Sequence, residues 1–494
     1  MFQTILTVLY ILLVVTVVIV ILVDTGDSGR KFAWLLIIAV LPLLGILLYF
    51  IFGINYRHHW IFDRRHQRYK DLFGKQTTAE LDTLLFGHGE EEKIREDFRP
   101  LARLMSRENY PTVTSGNDFE IITSGERKFE LLCRDVLEAR ESVHIEYFHF
   151  GNDEGSRKVK ELLMQKAREG VKVRFIYENV ANFPISSSYY ADMKKAGVEI
   201  IRFSSPLNYR NHRKVVVIDG KIGYTGGMNI NDNYFKSWRD THLRITGNAV
   251  ASLQYTFLDS WLTGKGRIDR DMTGFYPMVT GGEASAAVPA GQPVPVPEDS
   301  AVDFRSVQKL LSDKLVQIVP DEPDLPYPIL QYSYEWAIHH ARRYIYFQTP
   351  YFVPPEPVLN ALKSAAISGI DVRLMLPEVA DNILMRPANR AYYDEVLRAG
   401  VRIFLRQGEF IHSKTFVCDD YLSSIGSANM DARSFDLNYE INSYIYDEET
   451  AVLNRRIFMS DLEECRELTL AEWSRRPWYA RLLQSVIRLF APLL

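Results

Sequence analysis

The chain has 494 residues, a net charge of −4 and 47% hydrophobic residues. That length exceeds one ordinary domain and suits two or three. The near-neutral charge excludes a globally basic body built for nucleic acid, and three scattered cysteines, Cys133, Cys418 and Cys465, exclude a disulfide framework and a cysteine-based zinc site.

The hydrophobic residues are concentrated at the start. Phe2 to Val23 and Phe32 to Ile54 are uncharged apolar runs, each exceeding the roughly 20 residues that cross about 30 Å of hydrocarbon as a helix. The joint DTGDSGRK is short and polar, so residues 1–54 are expected to form a hairpin of two transmembrane helices. A signal peptide is the alternative for the first run, but it lacks a basic leader and its apolar core is too long. Arg57, Arg64, Arg65, Arg68 and Lys70 follow the second run, whereas Arg30 and Lys31 in the joint are balanced by Asp24 and Asp27. The positive-inside rule then places the body on the cytoplasmic side of the cell membrane, as a multi-pass protein. Residues 55–110 are charged and aromatic and suit a juxtamembrane connector.

From residue 111 strand and helix patterns alternate. DFEIITSG, SVHIEYFHF, VKVRFIYE and VEIIRF are predicted strands; ERKFELLCRDVLEAR, SRKVKELLMQKAREG and ISSSYYADMKKAG are predicted helices. The order returns in the second half, with RYIYFQTPYF, IDVRLMLPE and VRIFLR as strands and EWAIHHAR, EPVLNALKSAAISG and NRAYYDEVLRAG as helices. This predicts two homologous α/β lobes, 111–263 and 307–465, each layered on a largely parallel sheet. Residues 264–306, rich in Gly, Ala and Pro, are expected to be a linker, with a cover over the cleft as the alternative. The tail, 466–494, has apolar residues at helical spacing with Arg481 and Arg488 among them. It suits either an interfacial helix on an anionic membrane or a helix packed on the second lobe.

One constellation occurs twice, 200 positions apart: His212, Lys214, Asp219, Gly226, Gly227 and Asn229, then His412, Lys414, Asp419, Gly426, Ser427 and Asn429. A lone H-x-K-x4-D is weak; two in register point to one site built by two halves. In NHRKVVVIDG a strand's alternation puts His212 and Lys214 on one face, and Asp219-Gly220 reads as a tight turn. Lysine offers a point charge, asparagine an amide donor, and imidazole a donor or a nucleophile. Two such pockets suit phosphodiester exchange: one neutral imidazole attacks phosphorus, and the other donates to the leaving alkoxide. Lys214, Asn229, Lys414 and Asn429 would bind the phosphate. No metal or other cofactor is required, and no clustered carboxylates offer a metal site. Asp240 and Glu440 each lie 28 residues after a motif histidine, and are expected to orient the imidazoles. Asp219 and Asp419 belong to the candidate catalytic set, yet their turn positions point away from it and favour a structural role. His144, His149, His242, His339 and His340 read as ordinary core or interface histidines, and Cys418 as a small core residue.

At these residues the chain resembles the phospholipase D superfamily, with its duplicated HKD motif, and more narrowly is similar to the bacterial cardiolipin synthases of that type. The likeness includes PLLGILLYFIFG, HIEYFHFGNDEG, NHRKVVVIDGKIGYTGGMNIND, WRDTHLRITG, QTPYFVPPEP and HSKTFVCDDYLSSIGSANMDARSFDLNYEI. The resemblance implies mixed β-sheets flanked by helices and a central active site shared by the lobes. It also implies a transferase that joins two phosphatidylglycerol molecules into cardiolipin and releases glycerol without metal, through a phosphohistidine. It maps His212 as nucleophile and His412 as acid and base. The symmetry of the motifs leaves that order open, and oligomeric state stays open too. The alternatives are a phospholipase D-type hydrolase or nuclease, a phosphatidyltransferase using phosphatidylethanolamine, and a membrane scaffold with a decayed site. The hairpin and the lack of a basic body argue against nucleic acid as partner.

Overall fold

Strands of period two and helices closed by glycine recur in both halves and meet in one sheet. The structure, a computed structural model, describes residues 2–23, 28–50, 79–87, 90–106, 111–204, 209–267, 273–277, 310–323, 325–382 and 385–490. The first half contributes β1 (Thr114–Ile122), β2 (Ser142–Tyr147), β3 (Lys172–Glu178), β4 (Glu199–Phe203), β5 (Lys214–Ile218), β6 (Ile222–Gly226) and β7 (His242–Gly247). The second contributes β8 (Leu310–Asp321), β9 (Tyr344–Gln348), β10 (Asp371–Pro377), β11 (Arg402–Arg406), β12 (Thr415–Cys418), β13 (Leu422–Gly426), β14 (Asn438–Tyr446) and β15 (Cys465–Leu468). They pair in the order β15-β11-β10-β9-β12-β13-β14-β8-β1-β7-β6-β5-β2-β3-β4. Outward from the central antiparallel β1–β8 pair, both halves repeat one sequence of strands, so the sheet has a pseudo-twofold axis at its middle.

The sheet is mixed, not largely parallel as the alternation of elements suggests. Along this path neighbours are antiparallel except in β2-β3-β4 and β9-β10-β11, which run parallel. These are the strands joined by helical crossovers such as Glu154–Arg168 and Glu356–Ile367, which parallel neighbours need. The motif strands are joined by tight hairpins instead. Asp219 and Gly220 have φ of 52° and 62°, and Asp419 and Asp420 have 50° and 53°; positive φ at both central positions lets each turn, closed by the Lys221 or Tyr421 N–H donating to Ile218 O or Cys418 O, follow the twist of the strands.

Several elements escape the sequence patterns, among them β15 and three longer ones. β8 lies just past the predicted linker, and the helices Ala249–Thr263 and Glu448–Leu462 follow β7 and β14. Ala249–Thr263 is buried on almost every side between the lobes, so it shows no polar stripe to betray a helical period. Phe275 and Tyr276, inside the predicted linker, are also buried against this central core.

At the N-terminal end, Phe2–Val23 is one unbroken helix. The second apolar run is not the single helix that its composition predicts. It divides into Ser28–Val40 and Pro42–Leu48, because Pro42 has no N–H to continue the ladder and keeps Leu41 out of helical conformation. Val17 and Ile21 of the first helix pack with Trp34, Ile38, Ile46 and Tyr49 of the second run. Among the described residues, Gln3–Val23 is the one helix long and apolar enough to cross a membrane. The joint at 24–27, the basic run at 57–70 and most of the 264–306 linker lie outside the described residues.

A candidate active site between the lobes

Each motif histidine sits just before a motif strand, where the chain crosses to the other lobe. Arg210–Asn211 pairs with Asn438–Tyr439, and Phe410–Ile411 pairs with Trp238–Arg239. The backbone N–H of His212 donates to Tyr439 O at 2.9 Å, and that of His412 donates to Arg239 O at 2.8 Å. These clasps bring both imidazoles to the wall of one cavity of about 560 Å³, which Asn229, Asn429, His149, Tyr234 and Trp238 also line.

The orienting carboxylates are exchanged between lobes. Sequence spacing matches Asp240 to His212 and Glu440 to His412; in space, His212 Nδ1 lies 2.9 Å from both oxygens of Glu440, and His412 Nδ1 lies 2.8 Å from Asp240 Oδ2. Burial lowers the His212 pKa to about 4, against the pull of Glu440, and holds that of His412 well below the ordinary range. A neutral imidazole bound through Nδ1 to a carboxylate carries its proton there and leaves Nε2 a lone pair. The arrangement is a pair of uncharged imidazoles in one cavity, one fixed by each lobe.

The other motif residues divide into two groups. Lys214 and Lys414 do not form the cavity wall but lie buried behind it. Lys214 Nζ donates to His212 O at 2.5 Å, and Lys414 Nζ donates to His412 O and lies 2.7 Å from His412 Nδ1. Burial brings their pKa values down to about 7 and about 8. Asn229 and Asn429 do line the cavity; Asn229 donates to Tyr234 OH at 2.9 Å. Asp219 and Asp419 lie away from it. Asp219 accepts the backbone N–H groups of Arg140, Glu141 and Ser142 at 2.9, 2.8 and 2.8 Å. Asp419 accepts those of Arg342, Arg343 and Tyr344 at 2.6, 2.9 and 3.0 Å. Each carboxylate thus ties a motif turn to the start of β2 or β9.

The family model described as "Cardiolipin synthase, PLD-like domain" matches residues 132–261 and 335–462, one stretch in each lobe. A cardiolipin synthase of Geobacillus sp. (strain WCH70) is 35% identical over 477 residues, covering 93% of this chain and 88% of the relative. The chain belongs to the phospholipase D-type cardiolipin synthase family. Within that family, the major cardiolipin synthase ClsA of Bacillus subtilis (strain 168) is 34% identical over 484 residues, 94% of each chain. A second family model, "Phospholipase_D-nuclease N-terminal", matches residues 8–53; with the apolar Gln3–Val23 helix it marks the chain as membrane-associated. The phosphatidylserine synthase of Haemophilus influenzae Rd KW20 shares the fold, with a TM-score of 0.59 at 13% identity over 81% of this chain and all 100% of that one.

Sequence reasoning missed several cavity residues of this family member. His149, set aside as an ordinary histidine, lines the cavity, with its Nδ1 2.9 Å from Asn231. Tyr234 stands over His412, its hydroxyl 3.2 Å from Nδ1. Arg210, Arg433, Tyr351 and Asp381 also contribute to the wall. The available signal was position: each lies within a few residues of a motif element or at the end of a predicted strand. By contrast His144, against Phe257 and Gln254, and His242 are core residues.

Proposed function

We propose that the chain is a phosphatidyltransferase of the cell membrane that joins two phosphatidylglycerol molecules into cardiolipin and glycerol. One observation carries the reading: a single cavity holds two buried, uncharged imidazoles, each oriented from the opposite lobe. In the first step His212 Nε2 bonds to phosphorus, the bond to the glycerol headgroup oxygen breaks, and that oxygen takes a proton from His412. In the second, His412 recovers a proton from the primary hydroxyl of another phosphatidylglycerol. Its oxygen bonds to phosphorus as the P–N bond breaks, and His212 is restored. Asn229 and Asn429 face the non-bridging oxygens, while Lys214 and Lys414 act from behind through a medium of low dielectric. An anionic diester in the cavity raises the pKa of His412 towards the acid form that this scheme needs. Asp219 and Asp419 serve as structural ties. The scheme uses no metal and no cofactor.

The same reading divides the chain into a membrane hairpin, a connector, two lobes, a linker and a tail, at the boundaries the sequence suggests. The hairpin tethers the body to the cytoplasmic face, where an anionic diester reaches the cavity by lateral diffusion. The tail helix Trp478–Phe490 supports a second membrane contact, because its amphipathic character is inverted. Buried Gln484, half-buried Arg488 paired with Glu395, and Ile487 face the protein, whereas Trp478, Tyr479, Leu482, Leu483 and Val486 face outward. An apolar stripe turned from the core is stable on a bilayer surface. A spin label at position 482 should be shielded from a water-soluble relaxant and open to dissolved oxygen; the reverse removes this contact.

The activity is tested by product analysis. Purified protein with phosphatidylglycerol vesicles should give cardiolipin and glycerol in equal amounts. Phosphatidic acid as the dominant product would make the enzyme a hydrolase.

A further inference from the structure

The twin site is symmetric in its motif residues and asymmetric in its walls. At equivalent positions of the two cross-lobe clasps, Asn438 pairs with Arg210 beside His212, but Trp238 pairs with Phe410 beside His412. The Trp238 ring lies 4.9 Å from Phe410 and 5.4 Å from His412, and Tyr234 lies 5.3 Å from His412 on another side. Near His212 the wall carries a second guanidinium, Arg433, whose counterpart 200 residues earlier is Asn233. Both halves set an aromatic ring against the histidine, Phe148 standing 4.8 Å from His212, but the two guanidiniums lie on the His212 side alone among the described lining residues.

The proposed reaction needs such an asymmetry. A phosphohistidine can pass its phosphatidyl group to water, to glycerol or to a second phosphatidylglycerol. Only the last brings another phosphodiester, three carbons from the attacking hydroxyl. Building on the function proposed above, we infer that Arg210 and Arg433 form a second anion site, which holds the phosphodiester of the acceptor lipid while its free hydroxyl reaches the phosphohistidine.

The chemistry around the pair agrees with a site that can receive an anion. Two planar guanidiniums match the geometry of a phosphodiester. Burial and the nearby Arg210 charge both lower the pKa of Arg433, so a visiting anion relieves their repulsion. Glu178 lies close to both arginines, and Asp431 lies close to Arg433. Burial raises the pKa of Glu178 and takes that of Asp431 up to about 6. These acids can take up protons when a phosphodiester replaces them beside the guanidiniums. Among the described residues the opposite half offers no equivalent: Tyr351 donates to the carboxylate of Asp381 at 2.8 Å there, a pairing better suited to a neutral, hydroxyl-bearing group.

Two transfers by the full-length protein in the same vesicles test the inference. One is exchange of labelled glycerol into phosphatidylglycerol, whose acceptor carries no phosphate; the other is cardiolipin formation. Arg210→Gln and Arg433→Gln should each lower the ratio of cardiolipin formation to exchange by about tenfold, and the double variant by more, as expected for losing hydrogen bonds to a charged group. Arg→Lys at either position should recover part of the ratio. A partly unfolded variant loses both transfers together, so the ratio is read on the folded fraction. A ratio equal to that of the wild type in both glutamine variants overturns the anion site. Wild-type protein that exchanges glycerol but makes no cardiolipin overturns the proposed function itself, and the acceptor site with it.

Discussion

Glu440 and Asp240 occupy equivalent places and serve equivalent imidazoles, yet their pKa values are moved in opposite directions. Both are fully buried, which pushes each carboxyl up. At Glu440 that push is overcome by His212, Lys214 and the Ser427 hydroxyl, which donates at 2.5 Å, and the pKa ends below its ordinary value. At Asp240 burial prevails against Lys414, the Thr241 N–H and Lys214, and the pKa rises to about 6. The residue matching Ser427 is Gly227, and a Cβ there would stand 2.1 Å from Asp240 Oδ1. The two carboxyls thus differ in the direction of their shifts, chiefly through the His212 contact at Glu440, with the Ser427 hydroxyl adding a smaller contribution that Gly227 cannot supply to Asp240. The difference fits the roles proposed above, with His212 as the nucleophile and His412 as the acid and base.

The sharpest test of this division is removal of each imidazole. His212→Ala and His412→Ala should each lower cardiolipin formation by about a thousandfold or more. A phosphorylated enzyme should be trappable from His412→Ala but not from His212→Ala, and the opposite pattern would exchange their roles. Next in size is the crossed pairing. Glu440→Gln and Asp240→Asn should each cost about 10- to 100-fold, as loss of an orienting carboxylate does. Glu440→Gln should add nothing to His212→Ala but should slow His412→Ala further; a double-mutant cycle with the reverse couplings would put each acid with the histidine of its own lobe. Ser427→Gly should cost less, about three- to tenfold, by removing one hydrogen bond from Glu440. The depressed pKa of Glu440 means its charge is lost as pH falls; without Ser427 that loss begins at a higher pH, so the acid limb of the rate profile should move upward. An unmoved limb would show that Ser427 does not contribute to the difference between the carboxylates. The smallest expected effect on chemistry is at the motif turns. Asp219→Ala leaves three backbone N–H groups without their acceptor and should destabilise the fold by about 1–3 kcal/mol, measured as a lower midpoint in denaturant.

The sequence made the twin site legible because function required the same residues twice at one interval, and because strand-helix alternation marked two lobes. It did not reveal the crossing of Asp240 and Glu440, since spacing along a chain does not say which lobe a strand end will face. Lys214 was legible as part of the motif; its depth was not, because alternation gives a face of the strand and not the distance from a cavity. The buried helix Ala249–Thr263 lacked the polar stripe that marks a helix in sequence. Pro42 was in plain view, and its break in the second apolar run follows from composition read residue by residue instead of as an average. Arg210 and Arg433 became visible only when equivalent positions were subtracted, since they matter by differing.

The exchanged carboxylates also make the support of each imidazole depend on the whole chain. A ribosome that has delivered only the first lobe has made His212 without Glu440, and Asp240 without His412. Such a fragment holds its one motif histidine without the carboxylate that orients it. The constellation is complete only once β14 has been made and its clasp with Arg210–Asn211 has closed.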